Sequence, residues 1–543
     1  MNLRKICAAV LVLCLAIPAV SAKGAQVQDD IELKIGIYYG SSARDSVGLS
    51  AADGFTYTSE TDDGGQKILF SDSGASVEAA KNNSYGIKIS NGYASVEAAQ
   101  ADAANFSGAA AAYVNGEVCL FIPGFSDAEQ AQIHVASTLL GSRKAEVMNP
   151  DSNSVLIKKD GAVYFAYSMQ NEFLALRPLN EQNITIGERT YRGGAMLKRT
   201  SASDMTVINL VRMEPYLVSV LGMEIDPKWN LEAVKAQAVA SKGFALTNIN
   251  KYKKYGFNLD TTTNSQVYRG VAAEQERSWQ AVGETMGVVA LYDGKPAATY
   301  FFSSSGGQTE DAAVVWGGDP IPYLKGVADP YEQEANGCYH TWQQAFTAAE
   351  IKQKLSASGI DVGEVTGIAV SERTANGRAG TVTVTGTLGE TTLSGTSARS
   401  VFGLRSTNFS IYTQNGESGI PKPEEQAGKV PVLTADGIAT ITLNGSSALT
   451  KNIMGTVGSR ASVITKDGIQ TLNPSQDSQS PQDSQSSQGS GDRPSFTGDF
   501  LFDGGGYGHG VGMSQWGAKF MADAGYTYKQ ILQHYMPGIE FTK

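Results

Sequence analysis

Two rhythms of apolar and polar positions run along the chain, and between residues 84 and 150 they alternate in a fixed order. In "YGIKIS" (85–90) every second side chain is apolar, which predicts a strand with one face turned inward. "SVEAAQADAANF" (95–106) has helical spacing, with Ser95 placed to cap its first turn. "AAAAYVNGEVCLFIPG" (109–124) predicts two strands joined at Asn115-Gly116, a dipeptide that favours the tight turn of a hairpin. "SDAEQAQIHVASTLLG" (126–141) predicts a second helix, capped by Ser126 and closed by Gly141, and "KAEVMN" (144–149) a last strand. Residues 81–152 therefore predict a small β-α-β-β-α-β module.

The flanking regions have other rhythms. Residues 23–80 are polar and rich in Gly, Ser and Asp apart from "IELKIGIYYG" (31–40), and predict a loosely packed lead-in. From 185 to 543 strand patterns such as "MTVINLV" (205–211), "GEVTGIAVSERT" (363–374) and "AGTVTVTG" (379–386) are mixed with helices. One helix is predicted over 231–250, where Leu231, Val234, Ala238, Ala245 and Ile249 share a face and Asn230 can cap the start. The fold class expected is α+β, with mixed sheets and helices in a larger domain behind the small module. Residues 473–495, "NPSQDSQSPQDSQSSQGSGDRPS", hold almost no apolar side chain and predict a disordered insert within that domain.

The module's order resembles that of the sporulation-related repeat (SPOR) domain, and the resemblance implies binding to peptidoglycan glycan strands stripped of their stem peptides. The pattern also suits any small ferredoxin-like module.

Bulk properties narrow the function. The formal net charge is −11, which disfavours nucleic acid and anionic lipid as partners. The start, "MNLRKICAAVLVLCLAIPAVSAKGAQ", has a basic end, an apolar stretch too short to span a bilayer comfortably, and small residues at Val20-Ser21-Ala22. A cleaved secretory signal over 1–22 is favoured over an uncleaved anchor, which predicts a secreted, wall-associated protein with no later membrane span. Cys7 and Cys14 leave with that signal, so Cys119 and Cys338 allow one disulfide but no disulfide scaffold.

Three stretches carry candidate chemistry. In "YLVSVLGMEIDPKWNLEAVKAQ" (216–237) a short helix holding Pro215 should end near Gly222, which places Glu224 just beyond a helix C-terminus among Met223, Ile225 and Trp229. The helix dipole and the apolar neighbours both disfavour the charged form, as a general acid near neutral pH requires. A solvated loop glutamate is the plainer reading. In "GYGHGVGMSQWG" (506–517) His509 sits among glycines that permit close backbone approach, and Ser514 can cap a helix beginning at Gln515; a tight structural turn is the alternative. Nucleotide-binding spacing is absent from it. "YFFSSSGGQTE" (300–310) lacks the spacing of a nucleophile elbow, so its serines are expected to contact substrate at most. Cys338 and His340 form the one close Cys/His pair, and no zinc spacing is recognisable.

Taken in order, "VINLVRMEPYLVSVLGMEIDPKWNLEAVKAQAVASKGFAL" (207–246), "FFSSSGGQTEDAAVVWGGDPIPYLKGVADPY" (301–331) with "ARSVFGLRSTNF" (398–409), and "GGGYGHGVGMSQWGAKFMADAGYTYKQILQHYMPG" (504–538) resemble the motifs of the stage II sporulation protein D family. The resemblance runs from about 191 to 541, interrupted between 409 and 499. It implies a lytic transglycosylase acting on peptidoglycan, with Glu224 as the catalytic glutamate and Gln237, Ser304, Ser305, His509 and Gln515 lining the cleft. The implied partners are glycan strands and a cell-wall amidase. Zinc, which some members hold, finds only Cys338 and His340 after "DPY", so neither a metal nor another cofactor is carried over. The family's usual "AVAART" is replaced by "AVASKG", which puts a local contact in doubt.

Chemistry and resemblance agree on one point. Most glycosidases need two carboxylates, whereas a transglycosylase can cycle one glutamate as acid and then base, closing the muramic acid C6 hydroxyl on C1 to give a 1,6-anhydro end. No second acid has an obvious spacing to Glu224, since Asp226 is followed by Pro227 and should be fixed in a turn. The rival expectations are a non-catalytic wall-binding modifier of an autolysin or amidase, and a secreted metal-dependent hydrolase.

Overall fold

The structure, a computed structural model, describes residues 30–138, 143–150, 153–180, 183–199, 204–419, 429–434, 437–442, 461–465, 468–472 and 497–542. The expected signal, Gly141 and the expected insert at 473–495 lie outside the described residues.

The segment expected to be a loose lead-in is instead built into sheets. It forms β1 (Glu32–Tyr38), β2 (Ser46–Ser50), β3 (Phe55–Thr61), β4 (Gln66–Asp72) and β5 (Ser76–Lys81). Leu33, Ile35, Phe55, Tyr57 and Ala79 are fully buried. The reason is non-local. β3 pairs locally with β4 and β2 with β5, but β1 and β3 also pair with strands more than a hundred residues away, with Glu32 opposite Arg212 and Phe55 opposite Pro178.

The module that follows has the expected element order. It comprises β6 (Tyr85–Ser90), α1 (Val96–Ala103), β7 (Ala110–Val114), β8 (Glu117–Phe125), α2 (Ala128–Ser137) and β9 (Lys144–Met148). Its strands lie in the order β7-β8-β6-β9, all antiparallel, with α1 over β7 and β8 and α2 against β6 and β9. Asn115 and Gly116 both take positive φ, 50° and 83°, as a two-residue hairpin turn of the favoured hand requires. Ser95 caps α1 as expected. The cap of α2 is Asp127 rather than Ser126. The Asp127 carboxylate accepts the Gln130 N–H at 2.8 Å and also a bond from Ser126 Oγ.

Two sheets dominate the N-terminal half. Their further strands are β10 (Val155–Lys159), β11 (Ala162–Ser168), β12 (Glu172–Pro178), β13 (Asn183–Ile186), β14 (Arg189–Arg192), β15 (Gly194–Lys198), β16 (Thr206–Arg212) and β17 (Leu259–Asp260). One sheet runs β17-β1-β16-β15-β12-β3-β4 and the other β14-β13-β2-β5-β10-β11-β7-β8-β6-β9. The module thus extends a larger sheet through the parallel pairing of β7 with β11.

Strand β16 runs straight into α3 (Met213–Glu224), followed by α4 (Leu231–Thr247) and α5 (Glu276–Glu284). Helix α3 is apolar on nearly every side and is buried accordingly. Asn230 caps α4 as expected, accepting the Glu232 N–H at 3.1 Å, and the helix ends at Thr247, short of Ile249. A second core gathers around strands Trp342–Phe346, Phe409–Thr413 and Phe500–Gly504 with α6 (Ala348–Ala357) and α7 (Gly395–Phe402). Phe409 lies opposite Gly504 and Ile411 opposite Phe502, so the interruption in the family motifs leaves and re-enters the fold at one strand pair. Such an insertion costs little closure entropy. The chain closes with α8 (Gln515–Asp523) and α9 (Tyr528–Tyr535), tied to α4 where Asn230 Nδ2 donates to the Ala522 carbonyl and the Tyr528 N–H to Glu232. Among the described residues no helix is long and apolar enough to cross a membrane. Cys119 and Cys338 are buried and not joined.

The departure at Lys242-Gly243 has a packing reason. Lys242 is buried with Nζ 3.3 Å from the Thr285 carbonyl. A Cβ at Gly243 would collide with the Thr299 hydroxyl and stand 2.9 Å from the Ala297 carbonyl. Gly243→Ala is therefore expected to cost about 1–3 kcal/mol by overpacking, read as a lowered urea midpoint. An unchanged midpoint would show that α4 has room there.

Candidate active site

Glu224 is the last residue of α3 and is half-buried. The helix is fixed on both sides of it. Gly222 packs against the Ala273 carbonyl so closely that no Cβ fits, and Ser219 Oγ donates to the Gly270 carbonyl at 2.9 Å. These contacts hold the loop 265–273 beside the helix end, where the Val267 N–H donates to Glu224 Oε1 at 3.0 Å. Oε2 has no protein partner among the described residues.

Burial raises the Glu224 pKa above the usual carboxylate range, and the Val267 N–H offsets only part of that rise. No charged side chain contributes to the shift. Asp226 is exposed and accepts the Lys228 N–H at 2.9 Å in a side-chain turn, as the following proline suggested. The group at the helix end is thus a single desolvated carboxyl, protonated to higher pH than an ordinary glutamate, with one oxygen free to meet a substrate oxygen. Five residues after Glu224, the ring of Trp229 meets that of Trp516 at 4.7 Å and 54°, both half-buried. Arg277 fixes the Trp229 loop by donating to the carbonyls of Pro227 and Trp229.

The residues expected to line the cleft divide into two groups. Gln515 Nε2 donates to the backbone carbonyl of Glu224 at 2.7 Å and reaches Gln237 Oε1 at 3.4 Å. Gln237 is fully buried and donates to Ser241 Oγ. These two amides satisfy and hold the end of α3, where a helix carbonyl would otherwise be orphaned. Gln237 is fully buried and Gln515 nearly so, and both brace the helix end that carries Glu224.

Ser304 and Ser305 are also fully buried, so the substrate contact expected of them is corrected. Their hydroxyls are spent on an inner carboxylate. Ser304 Oγ donates to Glu332 Oε1 at 2.7 Å, and Ser305 Oγ donates to Asp329 at 2.9 Å and Glu332 at 3.1 Å. Glu332 also accepts the N–H groups of Ser305 and Gly306 and the hydroxyl of Ser514. His340 Nδ1 lies 3.2 Å from Glu332 Oε1. These donors hold Glu332 well below the usual carboxylate range against its burial. Asp329, fully buried beside it, is pushed the opposite way by desolvation and by the charge of Glu332, and its Oδ2 accepts Tyr535 OH at 2.8 Å.

His509 sits apart from these groups. Its Nδ1 accepts the Val511 N–H at 3.0 Å, and its ring packs on Phe302 and Trp316 at 5.5 and 5.1 Å. Desolvation lowers its pKa to about 4, so it is neutral at neutral pH.

Zinc does not fit the Cys338/His340 region. The Glu332 carboxylate that faces His340 already carries hydroxyl and amide donors, and the Cys338 thiol lies 3.7 Å from the Ser304 hydroxyl. Sequence reasoning missed Glu332, Asp329 and Trp516. The only local trace of the first two is that Glu332 directly follows "DPY".

Glu332→Gln sets an amide donor against this ring of donors. It is expected to destabilise the fold by about 3 kcal/mol, read from urea denaturation at pH 7. Because the folded pKa of Glu332 is depressed, its stabilisation is present above the ordinary carboxylate range and drains as pH falls through the depressed value. That acid limb should flatten in the variant. A loss below about 0.5 kcal/mol would show that the carboxylate anchors nothing.

Comparison with known proteins adds to this geometry. The stage II sporulation protein (SpoIID) family model matches residues 201–292, which include all of α3 and α4. An uncharacterized protein of Brachyspira hyodysenteriae is 36% identical over 179 residues, 32% of this chain and 47% of that protein. The chain therefore spans about half the length of that relative. Stage II sporulation protein D of Bacillus subtilis is 27% identical over 356 residues, 61% of this chain and 75% of that protein. A third relative, the amidase enhancer of the same organism, is 27% identical over 330 residues, 60% of this chain and 40% of that protein. Residues 201–292 therefore carry a stage II sporulation protein (SpoIID) domain, and the sequence around it is similar to stage II sporulation protein D.

Proposed function

We propose that the chain is a secreted, wall-associated lytic transglycosylase that cuts peptidoglycan glycan strands, with Glu224 as its one acid-base group. The SpoIID domain and the amidase-enhancer relative support a cell-wall role. The observation that carries the finer reading is the Glu224 carboxyl itself, desolvated, with Oε2 unpartnered and no charged neighbour shaping its acidity. In its protonated form it gives its proton to the oxygen linking N-acetylmuramic acid to N-acetylglucosamine. The carboxylate left behind takes the proton of the muramic acid C6 hydroxyl as that oxygen closes on C1. The cycle returns the proton to Glu224 and consumes no water, so no second carboxylate is needed. The Trp229–Trp516 pair offers apolar faces for the sugar rings. The β6–β9 module, by its topology, is proposed to hold the strand before it is cut.

A second reading has its own support. An amidase-enhancing protein would bind glycan and assist another enzyme without cutting, and the similarity to an amidase enhancer favours it. The two readings separate at Glu224. Glu224→Gln is expected to lower release of soluble sugars from purified peptide-free strands by a factor of about 10² to 10⁴ while retaining strand binding. For the native protein, cleavage should fall as pH rises through the raised Glu224 pKa, because the acid form is required. Undiminished action of Glu224→Gln would support the enhancer reading.

A further inference from the structure

The glycine-rich stretch 504–510 contributes no side chain to the Glu224 site, yet it mounts a second cluster. The Gly506 N–H donates to the Tyr339 carbonyl at 2.7 Å, and the Gly508 N–H to the Arg405 carbonyl at 3.1 Å. Tyr507 lies between the two glycines and is paired with Ser304 through both backbone bonds. Three distant segments are thereby fixed by backbone bonds before their side chains meet. The rings of Tyr339 and Tyr507 then pack edge to face at 5.2 Å and 72°. The Arg405 guanidinium lies 3.9 Å over the Tyr339 ring and 5.8 Å from the Tyr507 ring.

Two features of this cluster point to a ligand. Tyr507 is 43% exposed, a large ring held in place but left open to solvent. Arg405 forms no ion pair with any carboxylate among the described residues, although the chain carries a net charge of −11. A guanidinium with its face on a ring keeps its N–H edge for a planar anion. The cluster is also continuous with the Glu224 site. The Trp516 N–H donates to the Ser303 carbonyl, and Trp516 Cζ2 lies 3.5 Å from the Cβ position of Gly337, two residues before Tyr339. Trp516, whose ring meets Trp229 and whose neighbour Gln515 holds the carbonyl of Glu224, therefore packs beside the segment that carries Tyr339.

Building on the transglycosylase reading, we infer that Tyr339, Tyr507 and Arg405 form a distal subsite for a muramic acid residue of the bound strand. The tyrosine rings receive the sugar's C–H face, and the Arg405 N–H groups bind its lactyl carboxylate. That carboxylate distinguishes muramic acid from N-acetylglucosamine, so the subsite would set which sugar of the alternating strand sits there.

The test uses the full chain carrying Glu224→Gln, so that ligand is not consumed, and measures binding of a peptide-free glycan octasaccharide and of a neutral N-acetylglucosamine octamer by calorimetry. Adding Arg405→Gln is expected to weaken the muramic ligand about five- to tenfold and to leave the neutral one within about twofold. Adding Tyr507→Ala should weaken both. An Arg405→Gln protein that binds both ligands like its parent, or loses both equally, overturns the subsite and leaves the reading of Glu224 standing. Failure of the parent to bind either ligand overturns both.

Discussion

A carboxylate buried without compensation would unfold the region around it, and the compensation of Glu332 organises this protein. Its donors come from Ser304, Ser305 and Gly306 in one segment, Ser514 in another, and His340 in a third. Satisfying one charge thus brings together parts of the chain more than 180 residues apart. Ser514, once fixed, caps α8 by accepting the Gly517 N–H, and the first residue of that helix is Gln515. The amide of Gln515 closes the carbonyl end of α3. A polar chain therefore runs from Glu332 through Ser514 and Gln515 to the backbone of Glu224.

The titratable groups around this chain are pushed in different directions, and the directions assign their work. Glu332 has enough donors to stay ionised, while Asp329 beside it is held towards the neutral form. His509 is held neutral by burial against Phe302 and Trp316. Of these four groups, Glu224 combines a raised pKa with an oxygen that no described residue bonds. An incompletely bonded, desolvated carboxyl is the kind of group that acid-base chemistry uses, whereas fully satisfied groups such as Glu332 serve stability.

What the sequence disclosed was local or carried by motif. The hairpin at Asn115-Gly116 and the caps at Ser95 and Asn230 depend on a few neighbouring residues, and each was legible. The position of Glu224 at a helix end and its desolvation were legible because its apolar neighbours and the end of a helix coincide in one short stretch. The strands at 32–81 were not, because β1 and β3 are held by strands far along the chain and polar residues mask the alternation. Ser304 and Ser305 were placed on the wrong side of their loop for a related reason. A motif marks which residues matter, whereas the direction of a hydroxyl is set by the carboxylate it meets, and Glu332 sits 28 residues from Ser304. The α2 cap shifted by one residue since Asp127 competes with Ser126 and offers the stronger acceptor.

The central claim is that one carboxyl performs both proton transfers and that no water enters the product. Mass spectrometry of the fragments that the native protein releases from peptide-free glycan strands tests it most directly. The account predicts fragments ending in 1,6-anhydromuramic acid, each lighter by one water than the corresponding hydrolysis product. Fragments with free reducing ends would contradict it, because hydrolysis would require a second group to activate water beside Glu224.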